Sequence, residues 1–232
     1  MTLCRKRFTV AGMAVRIAFV NGKGGVGKTT CSLLFASALL DAGKSVSIDD
    51  RDPQGNATSA AIHLGIPQGS KASDVVVVDT APNQENPSTI EAIKTADLLV
   101  LITTPDAPDL STTLATSRII KEVRAGKTVL LFNRVVPNTY EFNEMPRVAA
   151  AFPFPTLSHH LTFLRAYQDR RMRPGWGRDL LQLLRGRTGV GSELPSLLEE
   201  VVPHALHSRS SIRTSAASAS SVWPFSTLRL VS

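Results

Sequence analysis

"AFVNGKGGVGKTT", residues 18–30, decides the fold of this chain. It follows a β-branched apolar run, "VRIAFV" (15–20), and leads into "TTCSLLFASALLDAG" (29–43), whose Leu33, Leu34 and Ala38 recur at helical spacing before Gly43 supplies a stop. Four glycines and two lysines fall within nine residues, 21–29. A loop that wraps a polyphosphate must turn its backbone N–H groups inward, through conformations that glycine adopts at least cost. Gly22, Gly27, Lys28 and Thr29 fit the phosphate-loop pattern G-x-x-x-x-G-K-[ST]. In that pattern Gly24, Gly25, Val26, Gly27, Lys28, Thr29 and Thr30 surround the nucleotide phosphates. Lys28 reaches the β- and γ-phosphates, and the Thr29 hydroxyl is offered to Mg²⁺.

The elements around this loop set the fold class. "KSVSID" (44–49), "DVVVVD" (74–79), "DLLVLIT" (97–103) and "KTVLLFN" (127–133) read as further strands, the second of them apolar on both faces. "DLSTTLATSRIIKEVRAG" (109–126) reads as a helix between the last two. Strands alternating with helices predict an α/β fold: a largely parallel twisted sheet with helices on both faces. Past residue 150, "FPFPTL" (152–157) reads as an edge strand limited by its prolines, and 158–172, 177–186 and 192–202 as helices, the first capped by Ser158.

The 232 residues fit one sizeable domain with appendages. Residues 1–12 read as a loose extension with Met13 as the natural start, 13–205 as a single phosphate-loop domain, and 206–232 as a disordered Ser/Ala-rich tail. The two cysteines, Cys4 and Cys31, form no Cys-x-x-Cys, which gives zinc, iron–sulfur or dithiol chemistry nothing to rest on and suits a reducing cytoplasm. No apolar run approaches the roughly 18 residues of a membrane span. His159 and His160 are adjacent, so they diverge on a helix and read as structural. The net charge of +7 is uneven: residues 151–232 carry ten arginines against five acids. That excess suits either an anionic partner or a solvated surface.

Three further segments carry chemistry. "DDRDPQGNAT" (49–58) follows the second strand, and its Asp50 and Asp52 can both point toward a metal-bound phosphate. Asp79 ends a buried strand at the mouth where ligands bind, in position for an Mg²⁺-bound water. Asn133 ends the fifth strand, by itself an ordinary strand-end position; the guanine-reading N-K-x-D is absent from the run Asn133–Val136, which favours ATP over GTP.

Lys23 occupies a position that the general phosphate-loop pattern leaves free, and here the sequence resembles the ParA/MinD group of deviant Walker ATPases, closest to the small ParA type, with its K-G-G-x-G-K-[ST]. D-x-D-P-Q-G-N (50–56) and D-T-[AP]-P (79–82) resemble further segments of that family, in its order. The resemblance implies an ATP-sandwich homodimer in which Lys23 touches the partner's bound phosphates. It implies that Asp52 positions or activates the attacking water, that Asp50 and Asp79 support the Mg²⁺ shell with Thr29, and that Asn133 meets adenine. It implies DNA partition or cargo positioning in the cytoplasm on the nucleoid, without membrane attachment, with slow hydrolysis stimulated by a ParB-like or cargo-adaptor protein. Arg165, Arg170, Arg171, Arg173 and Arg178 are then the candidates for non-specific DNA binding; a solvated helical face is the other reading of them. A MinD-like membrane ATPase and a non-hydrolysing nucleotide-gated adaptor are the alternative functions. The span from Gln54 to Asp79 is short for the family, and residues beyond about 190 do not resemble it.

Overall fold

The computed structural model describes residues 14–41, 43–69, 73–83, 85–123, 127–163 and 196–201. The expected extension 1–12, the tail 206–232, the helix 177–186 and the five DNA-candidate arginines lie outside the described residues.

Five strands form one parallel sheet in the order β2-β3-β1-β4-β5: β1 (Val15–Val20), β2 (Val46–Asp50), β3 (Val75–Asp79), β4 (Leu98–Thr103) and β5 (Thr128–Phe132). Every residue of β3, β4 and β5 is buried, which requires cover on both faces. The period-2 alternation of strand side chains divides that cover into two cores. Ile17 and Phe19, Leu98, Val100 and Ile102, and Val129 and Leu131 face α1 (Lys28–Asp41) and α2 (Asn56–Leu64). Ala18 and Val20, Leu99 and Leu101, and Leu130 and Phe132 face α3 (Pro87–Thr95), α4 (Ala107–Val123) and α5 (Tyr140–Ala149). The Phe19 and Phe35 rings meet at 5.1 Å between centroids, tilted by 59°, and pin α1 to the central strand.

This layering positions the site. The chain leaves β1 into α1 on one face, whereas it leaves the neighbours β3 and β4 into α3 and α4 on the other. The crevice so opened at the carboxyl ends of the strands is where open α/β sheets bind ligands.

Three helices beyond the sequence reading are present. α2 is built from small residues flanked by two left-handed glycines, Gly55 (φ 65°) and Gly65 (φ 69°). α3 begins with Asn86 accepting from the Ser88 amide and Pro87 in the first turn, a start signal legible in "NPST". α5 contains Pro146 and has no fully buried residue; its stripe of Phe142, Met145, Val148 and Ala149 packs only partly buried on the second core. The expected strand at 152–157 reduces to a single bridge, Leu130 with Thr156, because Pro153 and Pro155 have no N–H to extend a ladder.

The expected helix at 158–172 is corrected over its described part: residues 158–163 are not helical. Leu157 and Leu161 enter the α1-side core, the Leu161 amide donates to Phe132 O at 2.9 Å, and the Ser158 amide donates to Glu200 rather than opening a helix. Within the expected 192–202 helix, residues 196–201 are helical and bury Leu197, Leu198 and Val201.

Candidate functional site

The loop after β1 is braced from below before it reaches any ligand. Asn21 is buried; its Nδ2 donates to Ile102 O (2.6 Å) and Thr113 Oγ1 (2.7 Å), and its Oδ1 accepts the Lys23 amide (2.8 Å). The Gly22 amide donates to Thr116 Oγ1 at 3.1 Å, and Gly22 O accepts the Asn83 amide at 2.9 Å. On the far side, Asn133 is buried and its Nδ2 donates to Val26 O at 2.8 Å. Val26 is itself fully buried and anchors the crown of the loop. Gly24 and Gly25 are exposed at that crown.

Gly27 shows why glycine is required. Its φ is +100°, and a Cβ there would lie 2.2 Å from Asn133 Nδ2. Gly25, at φ +83°, is left-handed with open space around it. α1 starts at Lys28, and its first intrahelical amide bond is Cys31 N to Gly27 O, 2.9 Å. The amides of Lys28, Thr29 and Thr30 therefore precede the ladder at the positive end of the helix dipole, the arrangement that binds phosphate.

Lys28 is buried, and its Nζ donates to Lys23 O at 2.9 Å, across the mouth of the loop. Burial lowers its pKa, while the charges of Asp79 and then Asp52 pull the other way. A cation held this way lacks a full counter-charge, and an entering polyphosphate provides one.

Asp79 lies at the bottom of the site, fully buried. Thr29 Oγ1 donates to its Oδ2 at 2.7 Å, and Ser32 Oγ lies 3.1 Å from its Oδ1. Burial pushes its pKa up to about 6; the Thr29 hydrogen bond opposes this, and the Asp50 charge, across the β2–β3 register, adds to it. Cys31, one turn into α1, is packed in the core, and burial raises its thiol to about 12, so it has no nucleophilic character.

The acid turn after β2 is built differently. Asp50 Oδ1 accepts the Asp52 amide (3.0 Å) and Oδ2 accepts the Thr58 amide (2.7 Å). Gly55 cannot cap α2 with a side chain, so Asp50 performs that task from five residues upstream. Asp52 Oδ1 accepts only the Gln54 amide (3.0 Å) among the hydrogen bonds found, and the residue is half-exposed.

Thr29, Asp50, Asp52, Asp79 and Lys28 thus converge on one mouth, with Asn133 behind the loop. Among the described residues no group of three His, Cys, Asp or Glu side chains could hold a metal alone. One hydroxyl and one or two carboxylates suit Mg²⁺, which keeps its waters and arrives with phosphates. Lys23 forms an ion pair with Asp109 of its own chain, and Asp109 Oδ2 accepts from Thr104 Oγ1 at 2.6 Å. Asn21, Ser32 and Asp109 are site residues that sequence reasoning missed. Asn21 had a signal, as the residue directly between β1 and the glycines; Ser32 and Asp109 act through contacts 47 and 86 positions away and had none.

Comparison with known proteins agrees with this geometry. Residues 17–158 match the CobQ/CobB/MinD/ParA nucleotide binding domain. The chain is 32% identical over 185 residues to the maintenance of carboxysome distribution protein A of Gloeobacter kilaueensis, covering 72% of this chain and 83% of that one. It is 32% identical over 130 residues to the chromosome-partitioning ATPase Soj of Treponema pallidum, covering 56% of this chain and 47% of that one. In fold it is similar to the septum site-determining protein MinD of Pyrococcus horikoshii OT3, solved with Mg-ADP, at a TM-score of 0.61 and 16% identity over 84% of this chain and 99% of that one. Phosphate loop, buried carboxylate and sheet order together with these matches lead to one assignment: the chain belongs to the CobQ/CobB/MinD/ParA nucleotide-binding domain family, as a ParA/MinD-type ATPase.

Proposed function

We propose that this protein is a ParA-like positioning ATPase that closes into a sandwich dimer on ATP, binds DNA without sequence preference and moves a DNA or protein cargo. The observation that carries the reading is the convergence of Lys28, Thr29 and Asp79 beneath a glycine loop that also presents Lys23 at its rim.

In this reading Lys28 and the amides at the start of α1 bind the phosphates, and Thr29 with Asp79 holds the Mg²⁺ shell, supported by Asp50. Bound Mg²⁺ supplies neutralisation of charge on the transferring phosphoryl group. Asp52 is the residue with a carboxylate available to orient the attacking water, since Asp50 is occupied with backbone amides on both oxygens. An amide nitrogen carries two hydrogens, so Asn133 can keep Val26 O and offer the second to adenine. Lys23 exchanges its own Asp109 for the partner's phosphates, in the manner of an arginine finger. Relatives named for carboxysome distribution and for chromosome partitioning support a positioning role and leave both kinds of cargo in view. A ParB-like or cargo-adaptor protein stimulates turnover, which is slow without it. Arg165, Arg170, Arg171, Arg173 and Arg178 supply the phosphate contacts to DNA, doubled by dimerisation. No helix among the described residues is long and apolar enough to cross a membrane, and the DNA reading assigns the protein to the nucleoid.

The test is retention of the full chain on plasmid DNA at low salt. Retention with Mg·ATP but not Mg·ADP, lost steeply as salt rises, is the expected result. Equal retention with both nucleotides, or flotation with anionic liposomes in place of DNA retention, would overturn it.

A further inference from the structure

The back of the acid turn carries a second constellation that the phosphate chemistry does not use. Strand alternation turns Asp50 toward the α1 and α2 face and sends Asp49 to the opposite one, over α3. There Asp49 accepts from two arginines: Arg16 Nη2 at 2.7 Å and Arg51 Nε at 2.9 Å. Burial alone would raise the Asp49 pKa, but the hydrogen bonds from Arg51 and then Arg16 outweigh it and hold it below the usual carboxylate range. Arg51 also reaches Glu91 on α3, Nη1 to Oε2 at 3.3 Å. Its backbone is fixed at both ends: the amide donates to Asp79 O at 2.8 Å, and the carbonyl accepts from Ser88 Oγ at 3.0 Å.

Ser88 lies in the first turn of α3, and its hydroxyl proton has two acceptors within reach. Asn86 Oδ1, at 2.9 Å, already receives the Ser88 amide at 3.0 Å, so the Arg51 carbonyl is the acceptor that needs it. The segment that leads into α3 touches the phosphate loop as well: the Asn83 amide donates to Gly22 O at 2.9 Å, Asn83 has φ +94°, and the Asn86 amide returns to Asn83 O at 3.2 Å. Asn83 therefore contacts the phosphate loop, and Ser88, linked to it through the Asn86 amide, contacts the residue between Asp50 and Asp52.

We propose that Ser88 and Arg51 are positioning residues: the first turn of α3, through the Ser88 hydroxyl on the Arg51 carbonyl and the Asp49–Arg51–Glu91 ion chain, holds the Asp50–Asp52 turn at a fixed distance from the phosphate loop. The link couples the state of the loop to the placement of Asp52. The Arg51–Glu91 contact is half in solvent and contributes little energy by itself; the Ser88 bond and the doubly held Asp49 carry the constraint. This inference rests on the ATPase reading for its effect on turnover and is independent of that reading for its effect on the turn.

The experiment uses the full chain with Ser88→Ala and the conservative Ser88→Thr, measuring steady-state Mg·ATP hydrolysis, the dissociation constant of a fluorescent ADP analogue, and amide hydrogen exchange over residues 51–58. Ser88→Ala is expected to lower kcat roughly tenfold, since small misplacements of a catalytic group cost that much or more, with nucleotide affinity within about twofold of the parent. Exchange over 51–58 rises, and Ser88→Thr restores both readouts. Unchanged kcat and exchange in Ser88→Ala would overturn the proposal, as would a joint loss of turnover and nucleotide affinity that Ser88→Thr does not rescue. A parent chain that hydrolyses no ATP would count against the ATPase reading alone, because the exchange measurement still decides whether the link exists.

Discussion

The phosphate loop and the acid turn face each other across the same crevice, yet they are held in opposite ways. The loop is fixed by buried groups on three sides: Asn21 to β4 and α4, Asn133 to Val26, and Val26 itself in the core. The turn is held by the Asp50 carboxylate on one side and through Arg51 on the other, by its amide on Asp79 O, its ion pair with Asp49 and the Ser88 hydroxyl on its carbonyl, while Asp52 itself is half-exposed at the tip with one bond to the Gln54 amide. A rigid cradle suits a group that must bind phosphate repeatedly without reorganisation. A lightly held acid suits a group whose position decides when hydrolysis happens. The contrast predicts that binding and turnover are separable in this protein, and that substitutions on the two sides fail differently.

The largest effect belongs to the cradle. Lys28→Ala removes the buried cation that awaits the phosphates and is expected to weaken ATP binding by roughly a thousandfold, ~4 kcal/mol. A fluorescent-nucleotide titration measures this, and a loss below tenfold would mean that the loop amides alone carry binding.

Asp79 gives a smaller effect with a definite sign. Its pKa rises from 3.8 to about 6 on folding without ligand, chiefly through burial. Between those values the folded protein keeps a proton that the unfolded chain has lost, so stability falls as pH rises through this window and stays low above it. The shift corresponds to about 3 kcal/mol. Asp79→Asn is therefore expected to make the nucleotide-free protein more stable at pH 7.5 while removing its response to Mg²⁺. Denaturant unfolding at pH 5, inside the window, and at pH 7.5, above it, checks the sign; a variant less stable than the parent at pH 7.5 would contradict the burial argument. The ligand site thus costs the empty fold stability, the usual trade at such sites.

The acid turn itself gives the smallest change in stability. Asp50→Ala leaves two backbone amides unpaired, including one in the first turn of α2, and should cost about 1–2 kcal/mol. Asp52→Ala loses only the bond to the Gln54 amide and should cost less than about 1 kcal/mol. The order is expected to reverse in function: Asp52→Ala should keep ATP binding and lose turnover. Thermal unfolding paired with a phosphate-release assay compares the two, and equal turnover in Asp52→Ala and parent removes Asp52 from the mechanism.

How much of this was legible in the sequence follows from the same contrast. The strands and the phosphate loop are local: an apolar β-branched run, glycines at fixed spacing and a helix behind them specify their own geometry. α2 was not legible, because it is made of small residues capped from a distance by Asp50; α5 was missed although Phe142, Met145, Val148 and Ala149 recur at helical spacing, because Pro146 interrupts the pattern. The segment 158–163 reads as a helix by pattern but is not helical, since Leu157 and Leu161 gain more by entering the core beside β5. The acids at 50, 52 and 79 could be picked from spacing, but the division of labour between Asp50 and Asp52 required knowing which amides each one meets. Asp109 lies 86 residues from Lys23, and only the folded sheet brings them together.

The central claim is that ATP pairs two copies of this chain and that Lys23 seals the pair. Light scattering after size exclusion, with a slowly hydrolysed ATP analogue and Mg²⁺, tests it directly on the parent and on Lys23→Ala. The account predicts a shift from monomer to dimer in the parent and a monomer in Lys23→Ala that still binds the analogue. Dimerisation of Lys23→Ala to the same extent as the parent would contradict it.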